Sequence, residues 1–379
     1  MNDFENQAVV AHIQKVYLPY SEIFVYRFLS HFKRIVPVVI TQKLKNSELF
    51  PIDHLIDISI KRFTASWMKS QFYKLLGREN FFMEKALNEY NAKLVHAHFG
   101  PRGVESLEVA RRMHLPLVTT FYGYDISTLV KEDRWKKAYR RVFDYGSLFL
   151  AEGSCMAQKI RDAGCPSSKV KIQHLGVCVD LYENIVREKV DGKIVVLFCG
   201  RFTEKKGISY ALEAFSRVVR KNPELEMRLV GDGEGYENVL KKIRDLKIQD
   251  KVKLLGILPF PKVAEQLLQA DIFIHPSVTA SNGDSEGGAP TILLEASAAG
   301  VPVVSTLHAD IPEVVLHELT GFLAKEKDVE GLSHYLEVLV NDSKLRKTMG
   351  EKGRQHISAH YNIEKEVSKL EELYFSTMS

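Results

Sequence analysis

Residues 194–207 read IVVLFCGRFTEKKG. The six apolar residues Ile194–Cys199 do not alternate with polar ones, which predicts a strand buried on both faces. Gly200 opens a loop holding Arg201 and Lys206, Gly207 closes it, and a helical pattern follows over Ile208–Lys221. Strand, glycine loop and helix make up the repeating unit of a parallel α/β sheet. Such sheets bind ligands outside the carboxyl ends of their strands. Two cations in that loop suit a diphosphate, the guanidinium as a planar fork and the ammonium as a point charge.

The same grammar extends in both directions. Ala8–Val16, Ile35–Thr41, Leu94–His98, Leu117–Phe121, Ser147–Ala151 and Val170–His174 read as strands before it. Glu226–Val230, Val252–Leu255, Ile272–His275, Pro302–Ser305 and Gly321–Ala324 read as strands after it. Helical patterns lie between them, at Tyr236–Leu246, Phe260–Gln269 and Thr291–Ala299 among others. There are enough strands for two doubly wound parallel sheets. Asn184–Gly192 is charged and lacks apolar periodicity, so the division is expected there. The expected domains are 1–185 and 190–356, followed by a helical tail over 357–379.

A length of 379 residues fits two domains. Hydrophobic residues at 45% and charged residues at 26% exclude disordered, collagen-like and coiled-coil classes. The net charge of +4 is too small to argue for nucleic acid. Its distribution is uneven. Residues 1–185 carry 26 Lys and Arg against 19 Asp and Glu, a net +7, and the remainder carries 26 against 29, a net −3. The first domain is therefore expected to meet an anionic surface or substrate. Cys155, Cys165, Cys178 and Cys199 form no CxxC pair, which predicts neither a zinc site nor a disulfide framework. The opening MNDFENQAVV has no basic segment before an apolar one, and no run reaches the ~18–20 apolar residues of a membrane span. A cytoplasmic protein is expected.

One stretch stands apart. Ser59–Tyr90 mixes Trp67, Phe72, Tyr73, Phe81 and Phe82 with Lys61, Arg62, Lys69, Lys74 and Arg78. It reads either as a core helix with a solvated basic face or as a helix lying on an anionic membrane.

Two further motifs carry chemistry. Leu229-Val230-Gly231-Asp232-Gly233-Glu234-Gly235 lacks the third glycine of a G-x-G-x-x-G dinucleotide fingerprint, so it reads as a tight turn edging a nucleotide pocket. His275-Pro276-Ser277 leads through a polar loop to Glu286-Gly287-Gly288-Ala289-Pro290 and a helix containing Glu295. A glycine-rich loop entering a helix offers free N–H groups to an anion. Glu295, one turn in, is placed to accept from a vicinal diol such as a ribose. Paired carboxylates also serve glycoside hydrolysis, and spacing alone does not exclude that. His12, His96, His114 and His174 lie on or beside apolar strands and read as structural histidines.

Taken together, GRFTEKKG, LVGDGE, ADIFIHPS, the Glu-loop-Glu element running into EASAAGVPVV, and IPEVV resemble retaining glycosyltransferases of family four. In the first half SEIFVYRFL, HAHFG, TTFYGYDIS and HLGVCVD add to the likeness, and point to the branch that builds exopolysaccharide, colanic-acid-like polymers or lipopolysaccharide. The resemblance implies the GT-B fold, two Rossmann-like domains facing across a cleft. It implies that Arg201 and Lys206 hold the donor diphosphate and that Glu295 binds the ribose. Glu286, with the Gly287, Gly288 and Ala289 amides, would touch the donor sugar, and Gly231 and Leu258 would border the base. Ser21, His98, Gly100, Tyr122, Gly123 and Asp125 would line the acceptor side, with Tyr122 near the chemistry. The donor would be a UDP- or GDP-sugar and the acceptor a lipid-linked oligosaccharide. No cofactor, metal or nucleic acid is implied, and the basic first domain would dock on anionic lipid.

The chain departs from the family pattern in three places. Glu286 and Glu295 are nine residues apart, where eight is common. Tyr122 stands where a His-Gly-x-Asp element usually has histidine. Leu18-Pro19-Tyr20-Ser21-Glu22 replaces a double glycine. An epimerase on the same fold and a non-catalytic nucleotide-sugar-binding subunit are the rival readings.

Overall fold

A strand covered by helices on both faces has no water-facing side, so its sequence need not alternate. A computed structural model describes residues 7–60, 64, 66, 68–69, 80–182 and 192–379, and every apolar run picked out above is a strand in it. The first seven are β1 (Ala8–Gln14), β2 (Ile35–Thr41), β3 (Leu55–Asp57), β4 (Leu94–His98), β5 (Leu117–Thr120), β6 (Leu148–Ala151) and β7 (Val170–Ile172). They form one parallel sheet in the order β3-β2-β1-β4-β5-β6-β7. The next six are β8 (Ile194–Cys199), β9 (Leu225–Val230), β10 (Val252–Gly256), β11 (Ile272–Ile274), β12 (Val303–Thr306) and β13 (Gly321–Ala324). They form a second parallel sheet, β10-β9-β8-β11-β12-β13. Strand order reverses between β1 and β4 in one sheet and between β8 and β11 in the other. Crevices for ligands open at such switch points. This is the two-sheet Rossmann-like architecture of the GT-B fold. Among the strands of the described residues only β3, a partly exposed edge strand, escaped the sequence reading.

Each sheet has its own core. Val95, Ala97, Leu117, Phe121, Phe143 and Phe149 are buried in the first. Val196, Phe198, Phe215, Met227, Ile274 and Leu336 are buried in the second. Each such side chain larger than alanine contributes about 1.5–3 kcal/mol by leaving water.

The compact units are Met1–Gly176 with Ile363–Ser379, and Val177–Asn362. The divisions therefore fall at 176/177 and 362/363, not at 185–190 and 356–357. The charged stretch that suggested the first boundary lies, at 183–191, outside the described residues. The tail is also not one helix. A helix over Ser343–His360 ends, and another runs Ile363–Met378. Between them the Tyr361 carbonyl accepts from the Val177 amide at 2.9 Å, and Asn362 pairs with Val177 as an isolated bridge. Backbone groups spent sideways in this way are lost to the helix ladder.

The glycines at 231, 233 and 235 have a packing reason. A Cβ on Gly231 would sit 2.0 Å from the Gly200 carbonyl oxygen, and one on Gly235 would sit 2.6 Å from that of Phe202. Gly231 also has φ of +135°. Phe202 donates its amide to the Asp232 carbonyl at 2.9 Å and accepts from the Gly235 amide at 2.8 Å. The turn after β9 is thus clamped against the loop after β8, which fixes the backbone beside Arg201.

Candidate functional site

In the second unit the charged residues gather at the switch point. The loop after β8 carries Lys206, whose ammonium lies 2.7 Å from Glu286 Oε1. Gly207 allows this loop to close, since a Cβ there would lie 1.8 Å from the Pro276 carbonyl oxygen. Lys205 is buried and pairs with Asp284 at 3.1 Å, while also reaching the Ser285 carbonyl at 3.3 Å. Burial pushes the Glu286 carboxyl up, but Lys206, Lys205 and His275 outweigh it and hold it at about 2. The extra residue in this loop has therefore not carried Glu286 away from Lys206.

Two other groups hold Glu286. Ser277 donates its hydroxyl to Oε1 at 3.3 Å. The Glu286 amide donates to His308 Nε2 at 3.2 Å, and His308 Nδ1 lies 2.6 Å from Glu326 Oε1. An Nε2 that accepts must be bare, so the proton sits on Nδ1 and goes to Glu326. Part burial raises the Glu326 carboxyl, but its hydrogen bonds from His308 and Thr279 bring it below its ordinary value. His308 and Glu326 are functional candidates that sequence reading missed. They come from different loops, and no spacing links them to Glu286.

Glu295 is buried in the helix Thr291–Ala298, where Oε2 accepts from the Tyr182 hydroxyl at 2.7 Å. Gly287 and Gly288 are buried just before that helix, and Ala289 is half-buried. His275 is buried against Phe198, their rings 5.2 Å apart and nearly parallel. Burial first, and Lys206 second, lower its pKa to about 3. Arg201 is exposed at the mouth of the β8 loop and makes no ion pair among the described residues. Leu258 is half-buried after β10, and Gly231 lies in the clamped turn.

The first unit is built differently at its switch point. Asp125 is buried and works on the backbone: Oδ2 accepts from the Gly100 amide at 2.8 Å, and Oδ1 from the Tyr122 and Gly123 amides at 3.1 and 3.0 Å. Burial raises its carboxyl to about 6 despite these bonds. Gly100 fits only without a Cβ, which would lie 2.6 Å from Phe121 and Tyr139. Gly123 has φ of +123°. Asp125, Gly100 and Gly123 thus shape the loop that presents Tyr122. Ser21 is exposed on the turn Tyr20–Glu22.

Beside Tyr122 lie His98, His12 and His96, all buried, and each offers a ring nitrogen within 4.8 Å of the others. Three imidazoles this close could hold a metal, but hydrogen bonds already engage five of their six nitrogens. The sequence reading treated His12 and His96 as isolated structural residues. Their convergence comes from strand register, which pairs His12 with His96 across β1 and β4.

In the basic aromatic stretch at Ser59–Tyr90, residues 61–63, 65, 67 and 70–79 lie outside the described residues, and Phe81–Glu89 is a helix that buries Met83, Glu84, Ala86 and Leu87. Another basic amphipathic element is well described. The helix Asp133–Tyr145 buries Tyr139, Val142 and Phe143 and exposes Arg134, Lys136, Lys137, Arg140 and Arg141. No helix among the described residues is long and apolar enough to cross a membrane.

Residues 183–356 match the family described as glycosyl transferases group 1. The amylovoran biosynthesis glycosyltransferase AmsK of Erwinia amylovora is 33% identical over 249 residues, covering 65% of this chain and 61% of its own length. The putative colanic acid biosynthesis glycosyltransferase WcaL of Escherichia coli is 32% identical over 249 residues, with the same coverage. The chain thus spans about three fifths of the length of these relatives. Among solved structures, Anabaena HepE in complex with UDP and glucose superposes with a TM-score of 0.79 at 17% identity, covering 98% of this chain and 100% of that one. The lipopolysaccharide outer core galactosyltransferase WaaB superposes with a TM-score of 0.72 at 16% identity, covering 97% and 99%. These likenesses are of fold.

Proposed function

We propose that this chain, whose residues 183–356 carry a group 1 glycosyl transferase domain, moves a sugar from a nucleotide-activated donor to a lipid-linked saccharide during assembly of an extracellular polysaccharide. The observation that carries this reading is the Lys206–Glu286 pair at the carboxyl end of β8, with Glu295 buried one helical turn beyond the Gly287-Gly288 loop.

The roles follow from the chemistry of each group. Lys206, with the exposed Arg201, stabilises charge on a departing diphosphate, an electrostatic role needing no reorganisation. Glu286 is an ionised acceptor for donor-sugar hydroxyls, and the amides entering Thr291–Ala298 add an anion-binding helix end. Glu295, held by the Tyr182 hydroxyl, is the carboxylate assigned to the ribose diol. No side chain here is an activated nucleophile. The reading therefore takes front-face attack with retention, the donor phosphate accepting the acceptor's proton.

The rivals fit less well. A glycosidase acid needs a raised carboxyl pKa, and Glu286 is held at about 2. An epimerase needs an acid and a base flanking the sugar, and so low a carboxyl is a poor base near neutral pH. The helix Asp133–Tyr145 supports a peripheral role. Its exposed cations suit anionic lipid, at about 1 kcal/mol per residue near the surface.

A donor screen tests the proposal. Thermal shift and nucleotide release are measured with UDP-, GDP- and ADP-sugars, with and without EDTA. UDP-glucose is the first donor to try. One nucleotide should stabilise the protein, EDTA should not matter, and Lys206→Ala should remove the shift. No stabilisation by any sugar nucleotide would sink the assignment of Arg201, Lys206 and Glu295.

A further inference from the structure

The donor reading assigns Lys206 to a diphosphate, yet the Lys206 ammonium is already engaged. It lies 2.7 Å from Glu286 Oε1, and Glu286 is its one ion-pair partner among the described residues. The pair is sheltered, with side chains 14% and 10% exposed. An ammonium that neutralises a carboxylate has that much less charge to offer a phosphate. The loops that meet here are also balanced. Lys205 and Lys206 bring two positive charges, and Asp284 and Glu286 bring two negative ones. Of the three cations after β8, only the exposed Arg201 makes no ion pair among the described residues. A diphosphate therefore gains Lys206 only to the extent that Glu286 gives it up.

The two lysines differ in how firmly they are held. The Lys205 ammonium lies 3.1 Å from Asp284 Oδ2, 3.2 Å from Asp284 Oδ1 and 3.3 Å from the Ser285 carbonyl, three acceptors for its three protons. The Lys205 carbonyl accepts from the Val278 amide at 2.9 Å. The acidic loop it grips is tied at two further points. Glu204 accepts from the Ser281 amide at 2.9 Å and the Ser281 hydroxyl at 2.7 Å, and His308 accepts from the Glu286 amide. Against these, Lys206 makes a single ion pair, so it is the cation that can turn at little cost. Burial pushes the Glu286 carboxyl up, and Lys205 is among the charges that, after Lys206, bring it down to about 2. When Lys206 turns away, the fixed charge of Lys205 and the Ser277 hydroxyl, 3.3 Å from Oε1, remain.

We propose, resting on the donor reading above, that Glu286 and the donor diphosphate compete for Lys206, and that Lys205 is the positioning residue whose fixed charge lets Glu286 release it. A nucleoside diphosphate alone takes Lys206 and leaves a buried carboxylate short of a partner, which opposes binding. A sugar nucleotide brings hydroxyls that donate to that carboxylate and offset the loss. The exchange is complete before the chemical step, so the departing diphosphate finds the ammonium in place. Once the sugar has been transferred, its hydroxyls no longer hold Glu286. The pair then re-forms and expels the nucleoside diphosphate. One ion pair thus favours the donor over its product.

Calorimetric titration of the full-length protein with UDP, GDP and ADP, each alone and as its glucose ester, tests this. Glu286→Gln should bind the nucleoside diphosphate about 10-fold more tightly than the wild type, because Lys206 is released. A residue that only touched the sugar would leave this affinity unchanged, and one that only held the loop would weaken it. The wild type's preference for sugar nucleotide over nucleoside diphosphate should shrink by a similar factor. The parent nucleoside, which has no phosphate, should bind both proteins equally. Lys205→Met with Asp284→Asn, which neutralises both partners of the fixed pair, should weaken nucleoside diphosphate binding about 5-fold. Adding Glu286→Gln should reduce that loss to less than about 2-fold. Unchanged or weaker diphosphate binding in Glu286→Gln, or a gain shared by the nucleoside, would overturn the competition, whether or not the double variant folds. An equal loss with and without Glu286→Gln would overturn the part given to Lys205. If no nucleotide binds the wild type or Glu286→Gln, the donor reading has failed and the competition falls with it.

Discussion

The two switch points occupy the same place in the same topology and are built from opposite materials. At the end of β8 and β11 lie ions: Lys205, Lys206, Asp284 and Glu286, paired with one another. At the end of β1 and β4 lie neutral groups: three imidazoles, two phenols and a threonine hydroxyl. This inverts what bulk charge suggests, since residues 1–185 carry a net +7 and the remainder a net −3. Net charge describes a surface and the solvent it meets. A site is described by the few groups that burial forces to pair or to neutralise.

The largest effect should come from breaking the ionic site. Lys206→Ala leaves Glu286 buried without its nearest cation, at a cost of about 3 kcal/mol. Urea unfolding should show that loss. Adding Glu286→Gln should restore much of the stability while donor binding stays absent. If the single variant is as stable as the wild type, the pair does not hold the loop.

The next largest effect separates the units by pH. An unfolded histidine takes its proton near pH 6.5, whereas burial lowers folded His98 to about 3 and lowers His12 and His96 well below 6.5. The unfolded state therefore binds more protons in that window, and stability falls as pH falls through it, by about 1.4 kcal/mol per pH unit for each proton. Asp125, raised to about 6, and Glu366, also raised by burial, work the other way, but they are two groups against three. In the second unit His275, and His356 far from the switch point, show the same loss, while the Glu286 contribution is complete above 4.5 and fades only as pH falls toward 2. Hydrogen exchange, corrected for intrinsic rates, should show β1 and β4 losing more protection than β8 and β9 between pH 7 and pH 5. Equal losses would contradict the contrast.

A smaller effect should follow from loosening the ionic site at one remove. His308→Ala removes the acceptor of the Glu286 amide and should weaken donor binding about 5-fold, about 1 kcal/mol. Glu326→Gln keeps a hydrogen-bond acceptor for His308 and should do less, as titration of the thermal shift would reveal. The smallest effect on stability should come from Lys137→Glu with Arg140→Glu, within about 0.5 kcal/mol because both are exposed. Sedimentation with anionic vesicles should nevertheless fall sharply and be salt-sensitive. Unchanged sedimentation would discard the docking face.

Much of this was legible in the chain. Twelve of the thirteen strands among the described residues follow from apolar runs, because a doubly covered strand writes its burial directly into composition. Arg201, Lys206, Glu286 and Glu295 stand in one glycine-marked grammar, since a loop that closes on a ligand needs residues of fixed type close together. What sequence could not show was which distant side chains meet. His12 joins His98, 86 residues away, and His96 joins Tyr374, 278 away. Burial in the folded core makes these groups neutral and sets them in line, and no periodicity encodes that. His308 and Glu326 behind Glu286, and the clamp that Gly231 and Gly235 make on the β8 loop, likewise exist only once separate loops are brought to one sheet edge. Local covalent pattern determined the elements and the charged motif. The tertiary structure decided which charges are paired, which histidines are neutral and how Tyr122 is held, because burial and long-range contact set protonation and direction.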